Sequence, residues 1–453
     1  MPANYVLLER IELNASAASI SFTNIPQSGY TDLKLIVSAR QDNGDNNLIF
    51  KPNNATTSIS TRMLTGDGSS ASSNTSTTPY GLVGQTGFTS NTFGSTEWYI
   101  PNYTSANFKS WSVDECNENN GTTAYSRLQA GLWSSTAAIT SIVFTAGSSG
   151  NFVQYSTFSL YGLAAVGTTP AIAPKASGGN IQTDGTYWYH TFLSTGAFVP
   201  STTLSCDVLV VAGGGSGGAN SGGGGGGAGG LIYQTNRSIV TGNYNVVIGA
   251  GGASVINNAG NGNVGVDTTF DSLTAKGGGF GAQNIVQTNG GAGGSGGGGN
   301  GGSSPVGTGG TGNQSSQSGD SGTYGFGSNG GAGVVGQGDG GGGGGAGGIG
   351  GDGVLNDGGG AGGIGKQYSS FATATSTGAN SGYYAGGGSG NSESTFTLRS
   401  GGAGGGGTGG KGSTMATNGT ANTGGGGGGA SRNASAPSGS GGSGIVIIRY
   451  PIA

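Results

Sequence analysis

Glycine limits this chain more than any other residue. Of its 108 glycines, 14 lie in residues 1–175 and 94 in residues 176–453. Between Gly213 and Gly444 glycine runs alternate with short polar segments. Six glycines followed by alanine occur three times there, at Gly222–Ala228, Gly340–Ala346 and Gly424–Ala430, with no fixed long period. Such a stretch has few side chains to bury, so it cannot fold by turning an apolar face inward. What it has is backbone, and every N–H and C=O that leaves water needs a partner.

Three states compete for residues 213–444. Collagen needs glycine at every third position with abundant proline, and 11 prolines with a broken period exclude it. A flexible, disordered linker is the usual outcome for such composition. The third state is a bundle of polyglycine helices of the polyproline-II type. These have three residues per turn, a rise of about 3.1 Å and no internal hydrogen bonds, so the bonds must run between helices. Only glycine lets backbones approach on all sides, and non-glycine residues should then fall three apart on an outer face. Ala346, Ile349, Asp352 and Leu355 do so, with Val354 as the exception, as do Ala361, Ile364 and Gln367. Charged residues make up only 8% of the chain, which removes the self-repulsion of a solvating segment. The expectation is an ordered glycine bundle.

Residues 1–163 read differently. Short β-rich runs recur between turn residues at Tyr5–Leu13, Ser19–Phe22, Asp32–Ser38, Leu48–Lys51, Glu97–Tyr103, Ser126–Trp133, Ser141–Thr145 and Val153–Gly162. The fold class expected is an all-β N-terminal sandwich or jelly roll followed by the polyglycine-helix bundle, with essentially no α-helix. Residues 1–163 form the attachment and oligomerisation domain, 164–180 a linker, and 181–212 a hairpin (Thr186–Leu193 against Ala197–Leu204) with a strand leading into glycine. Residues 213–444 form the glycine domain and 445–453 a closing strand. A homotrimer through residues 1–163 is expected from the symmetry of closed assemblies.

Several activities find no support. Fifteen scattered Lys and Arg residues supply no stripe for nucleic acid. One histidine and two cysteines, Cys116 and Cys206, cannot assemble a Cys/His metal site. No apolar run approaches the ~20 residues of a membrane helix, and the first ten residues, with Glu9 and Arg10, lack the apolar core of a signal peptide. Glycine richness also manufactures motifs. Gly213-x-Gly215-x-x-Gly218 follows a strand but precedes no helix, so it does not bind a dinucleotide; Gly214-x-Ser216-x-Gly218 imitates a nucleophile elbow with the same defect. Gly319-Asp-Ser-Gly322 has only His190 as a candidate base, and His190 reads as a packed strand residue. Gly347–Leu355 fits a calcium nonapeptide once, without the tandem repeats such sites need. No enzyme, catalytic residue, metal or cofactor is expected.

The stretch Tyr187-Trp-Tyr-His-Thr-Phe, then Asp207-Val-Leu-Val-Val-Ala-Gly-Gly-Gly-Ser-Gly-Gly, and at the end Gly441-Gly-Ser-Gly-Ile-Val-Ile-Ile-Arg-Tyr450, resembles the glycine-rich domain of bacteriophage virion proteins. It is also similar to the adhesins at the long-tail-fibre tips of T-even-like phages. That resemblance covers roughly residues 185–450 and implies packed polyglycine helices whose intervening loops touch a host receptor. Ile20-Ser-Phe, Tyr30-Thr-Asp-Leu and Phe152–Gly162 look like β-modules of phage fibres and decorations. The function implied is a tail-fibre or adhesin-type component on the virion surface, made in the host cytoplasm; the alternative is a head or tail decoration without a receptor role. Its partners would be other virion proteins and a host receptor, an outer-membrane protein or glycan, with no nucleic acid and no membrane insertion. Receptor contact is expected from the aromatic residues of the longest joining segments: Tyr324 and Phe326, then Tyr368, Phe371, Tyr383 and Tyr384.

Overall fold

The computed structural model describes all residues except 1–4, 122–123, 165–172, 220–221, 257–259, 284–288, 303–305, 315–324, 337, 393–396, 431–436 and 453. Among the described residues, regular structure is almost wholly β, with 25 strands, one α-helix and one 3-10 turn. The chain divides into two compact units. The first comprises Met1–Lys175, Gly179–Trp188 and Pro451–Ala453, and the second Ala176–Gly178 and Tyr189–Tyr450.

The first unit is built from strands β1 (Tyr5–Glu12), β2 (Ser19–Phe22), β3 (Asp32–Ala39), β4 (Asn47–Pro52), β5 (Ile59–Gly66) and β6 (Ala71–Ser76). It continues with β7 (Tyr80–Leu82), β8 (Gly94–Ile100), β9 (Lys109–Cys116), β10 (Ser126–Trp133), β11 (Ile142–Ala146) and β12 (Thr157–Leu163). One antiparallel sheet runs in the order Asn180–Thr183, β1, β12, β3, β8, β9, β10, β5, β6, and a second in the order β2, β11, β4, β7. Strict alternation, buried with exposed along β9 and buried with half-buried along β4, sets which face turns inward. Both inner faces feed one core, in which Phe50 stacks on Trp98 and meets Phe144 and the edge of Trp111. Four strands of this unit, β5, β6, β7 and β9, lie outside the runs read from the sequence.

In the second unit the apolar strand Leu204–Val211 pairs antiparallel with the closing strand Ile445–Pro451, Val211 opposite Ile445. The two therefore deliver Ala212 and Gly444 side by side into the glycine region. Leu231–Ile239 flanks them on one side and Tyr187–Phe192 on the other. The hairpin expected at 186–204 is not formed. Tyr187–Phe192 joins this sheet, whereas Gly196–Pro200 pairs with Ala176–Ser177 and Tyr244–Val247 in a separate one. Burial on both faces of Tyr187–Phe192 explains the split, since a two-stranded ribbon leaves one face to water. Residues 164–180 are likewise no plain linker: Ala176–Ser177 is a strand, and 165–172 lie outside the described residues.

Within the glycine region most segments carry neither helix nor strand, yet they are buried and bonded to one another. Gly224, Gly227 and Gly230 donate to the carbonyls of Ala282, Gly279 and Lys276. Gly225 and Ala228 donate to Gly341 and Gly344, and Gly226 and Gly229 to Gly427 and Gly424. The carbonyls of Gly224, Gly227 and Gly230 accept from Gly218, Gly215 and Ala212; those of Gly225 and Ala228 accept from Gly298 and Ser295, and that of Gly226 from Gly388. Partners thus repeat at every third residue, and this one segment is bonded on all sides. The three six-glycine motifs, 118 and 84 residues apart in sequence, meet here: the first touches both of the others. A Cβ on Gly226 would overlap the carbonyl of Gly215, and one on Gly225 that of Gly388, so close approach rather than turn geometry demands glycine. Side chains appear where the segments face water. Ile349, Asp352 and Leu355 are exposed, as are Ala361, Ile364 and Gln367, while Ala346 is buried.

Candidate functional site

The glycine segments run between two ends. At one they enter the sheet: Ala212 follows Leu204–Val211, Gly230 precedes Leu231–Ile239, and Gly327 follows the short strand Gly325–Phe326, which pairs with Leu231–Ile232. The other is marked, among the described residues, by turns such as Val354–Gly358 and Lys411–Thr414. Hydrogen bonds tie the segments together there, from Gly301 to Gly222, Gly302 to Val334, Gly340 to Asn391, Asn391 to Gly223, Ser392 to Gly410 and Ala430 to Gly218.

Most of the aromatic residues expected at a receptor lie at the sheet end, and they pack inward. Lys366–Gln367 pairs with Tyr383–Tyr384, and between them runs helix α1 (Ser369–Thr375), stopped by Ser376 in the left-handed conformation. The helix buries Phe371, Ala372 and Thr375. Phe371 stands edge-on to Tyr189 and Tyr233 at 6.0 and 5.8 Å, and the Arg449 guanidinium lies 4.5 Å over its face. Arg449 is itself held by two hydrogen bonds to Asp207, at 2.9 and 3.0 Å, and donates to Ser370 at 3.2 Å. Tyr368 meets Tyr233 at 4.8 Å. The Tyr384 hydroxyl bonds Thr377 at 2.7 Å, and burial pushes its pKa up to about 12.

Two of the expected contacts are therefore corrected. Phe371 is 1% exposed and Tyr384 0%, so neither ring can touch another molecule. Phe326, half-buried with Lys366 4.3 Å over its ring, and the half-buried Tyr368 and Tyr383 line the same docked segment. Tyr324 lies outside the described residues. The aromatic content that marked 366–384 as a recognition loop serves to fasten it to the sheet.

The turn end has a different surface. Ile256, Val335, Val354, Leu355 and Met415 are between 48 and 61% exposed there. Val354 and Leu355 sit in a tight turn closed by Asp357 N–H to the Val354 carbonyl, and Met415 follows one closed by Lys411 and Thr414 bonding each other; Val335 bridges Gly302, and beside Ile256 the Val255 carbonyl accepts from Ser438 N–H. Asp357 also pairs with Arg399, whose neighbourhood is tied back by Thr397 N–H to the Asp357 carbonyl. The sequence marks Leu355 as part of an outer face and Val354 as an exception to it, but nothing in single aliphatic residues among glycines signals contact, and Ile349, Val264 and Val266 are as exposed elsewhere on the unit.

The catalytic look-alikes are spent on structure. His190 is fully buried, with Nδ1 2.8 Å from the Gly178 carbonyl and Nε2 3.0 Å from the Tyr450 hydroxyl. Nδ1–H donates to that carbonyl; burial lowers the ring's pKa to about 4, so the imidazole is neutral and Nε2 accepts from the Tyr450 hydroxyl. Ser216 is buried and its Oγ accepts from Asn263 N–H at 2.8 Å. Asp352, in the calcium-like nonapeptide, accepts from Ala332 N–H at 2.7 Å. Gly319–Gly322 lies outside the described residues. Among the described residues, no three His, Cys, Asp or Glu side chains gather to hold a metal, both cysteines are free thiols, and no helix is long and apolar enough to cross a membrane.

Residues 191–451 match the model of a family described as the glycine-rich domain, and the chain belongs to that family. The matched region opens within the strand Tyr187–Phe192 and closes with Ile445–Pro451, two adjacent strands of one sheet. No curated protein matches the chain.

Proposed function

We propose that this glycine-rich domain protein is a phage virion surface component of the tail-fibre or adhesin type, and that it touches the host cell with the turn end of its glycine body. The observation that carries the reading is the surface of that end: five exposed aliphatic side chains on a frame whose interior is hydrogen-bonded backbone. Exposed apolar groups held together on a rigid support mark interaction sites, and such a support orders little on binding. Aliphatic rather than aromatic side chains favour a protein partner, such as an outer-membrane protein, over a glycan, which calls for stacking rings. The likeness of the framing strands to phage virion proteins supports the setting.

The same reading takes the glycine segments as polyproline-II-type helices. Its support is the three-residue repeat of hydrogen-bond partners around Gly224–Gly230 and the three-residue spacing of exposed side chains from Ile349 to Leu355. Residues 1–163 then serve as the attachment and assembly domain.

Competition tests the function. Purified protein added to host cells should block phage adsorption. Val335→Asp with Leu355→Asp should abolish that block while leaving the melting temperature within about 2 °C, as surface substitutions do. Unimpaired competition by the double variant would move the contact elsewhere, and mass spectrometry of purified virions lacking the chain would refute the setting itself.

A further inference from the structure

The outermost strand of the larger N-terminal sheet is β6, Ala71-Ser-Ser-Asn-Thr-Ser76, which pairs only with β5 in an unbroken six-residue register. Five of its side chains are exposed and the sixth is half-buried. Natural edge strands are guarded by charge, proline, a bulge or extreme shortness. The edge strands of the smaller sheet, β2 and β7, are four and three residues long. β6 has none of these guards.

Its geometry is fixed by the turn that precedes it. Asp67 N–H donates to the Ser70 carbonyl, and the Asp67 carboxylate accepts from the Ser69 and Ser70 N–H groups at 2.9 and 2.6 Å. The bonded pair Asp67–Ser70 sets the phase of the antiparallel ladder: Ser72, Asn74 and Ser76 face β5, and the N–H and C=O groups of Ala71, Ser73 and Thr75 face outward. Among the described residues these three make no backbone bond outside β5. Beside this edge, Leu64 and Leu128 stand opposite each other across β5 and β10, 55 and 57% exposed, in the same row as Ser73.

We infer that β6 is an interface for a second copy of this chain, pairing antiparallel with the β6 of its partner about a two-fold axis at Ser73. The sequence suits itself in that register. Ser73 faces Ser73, Ala71 faces Thr75, and Ser72 faces Asn74, with no charge and no bulky group to hold the backbones apart. Each outward residue both donates and accepts across the seam, and the leucine rows of the two copies continue on one face. This pairing closes at two copies, so it differs from the trimer expected on grounds of symmetry alone, and it stands independently of the host-contact reading.

Charge placed at the axis tests it. The wild-type chain should sediment as a dimer at concentrations on the order of 100 μM. Ser73→Lys and Ser73→Glu should each sediment as monomers with unchanged melting temperature, and an equal mixture of the two should restore the dimer. As a second readout, Ser73→Cys in a Cys116→Ser background should form a disulfide dimer far faster than Ser69→Cys in the same background, because facing bonded residues lie about 5.5 Å apart, within disulfide reach. A wild-type monomer or trimer at that concentration, or equal cross-linking of the two cysteine variants, would overturn the inference.

Discussion

At Gly343 a Cβ would overlap the carbonyl of Gly226, whereas at Gly348 its one tight contact would be the Cγ2 of Ile364, at 3.1 Å. The same residue type thus carries opposite demands within one run. Gly343→Val should destabilise the second unit by several kcal/mol, since displaced segments leave buried amides unpaired at about 1–3 kcal/mol each. Gly348→Ala should stay within about 1 kcal/mol of the parent, because only a side chain must give way. Equal melting temperatures for the two variants would show that the segments are not packed.

Titration separates the units residue by residue. His190 in the second unit has its pKa lowered to about 4 by burial, so its neutral form belongs to the fold. Its contribution is complete above pH 6.5 and is lost as pH falls toward 4, roughly 3 kcal/mol in all. Glu115 in the first unit is the reverse. Desolvation raises its pKa to about 7 despite Arg127 at 3.8 Å, so its contribution is complete below pH 4.5 and is lost as pH rises to 7. Calorimetry between pH 4.5 and 6.5 should therefore show the two units shifting in opposite directions, with His190→Gln flattening one slope and Glu115→Gln reducing the other, to which the buried Glu9 carboxyl, also raised by desolvation, adds in the same sense.

Among the elements, helix α1 shows how composition can mislead about role. Tyr, Phe and Ser clustered between glycine runs look like a recognition loop. The ring set Tyr189, Tyr233, Tyr368 and Phe371, with Arg449 above, instead seats the helix on the sheet. Phe371→Ala should lower stability by about 3–5 kcal/mol, as large aromatic truncations do, without weakening host competition. Lost competition at intact stability would return this segment to the contact surface. The strands divide in the same way. Ser19–Phe22 is legible with its bounds because apolar alternation is clean there, whereas Ser126–Trp133 reads as a strand although its inward positions are Gln129, Gly131 and Trp133 and its Leu128 faces water. β9 alternates just as strictly, but its inward positions include Lys109 and Glu115, so a pattern of apolar residues passes over it. β6 has no apolar alternation at all, because both its faces meet water, and only its hairpin with β5 makes it a strand.

Taken whole, the chain joins two solutions to the same requirement. The first unit buries side chains between sheets, and the second satisfies backbone with backbone across three motifs far apart in sequence. The break in glycine content near residue 175 and the three-residue spacing could be read from the residues. Which segments lie side by side could not, since glycine carries no side chain to record its neighbour. Amide hydrogen exchange on the intact protein addresses that arrangement. Gly224–Gly230 and Gly341–Gly344 should be protected as strongly as the strand Leu204–Val211. Exchange of those glycine amides at the rate of an unstructured peptide, with the strand still protected, would contradict it.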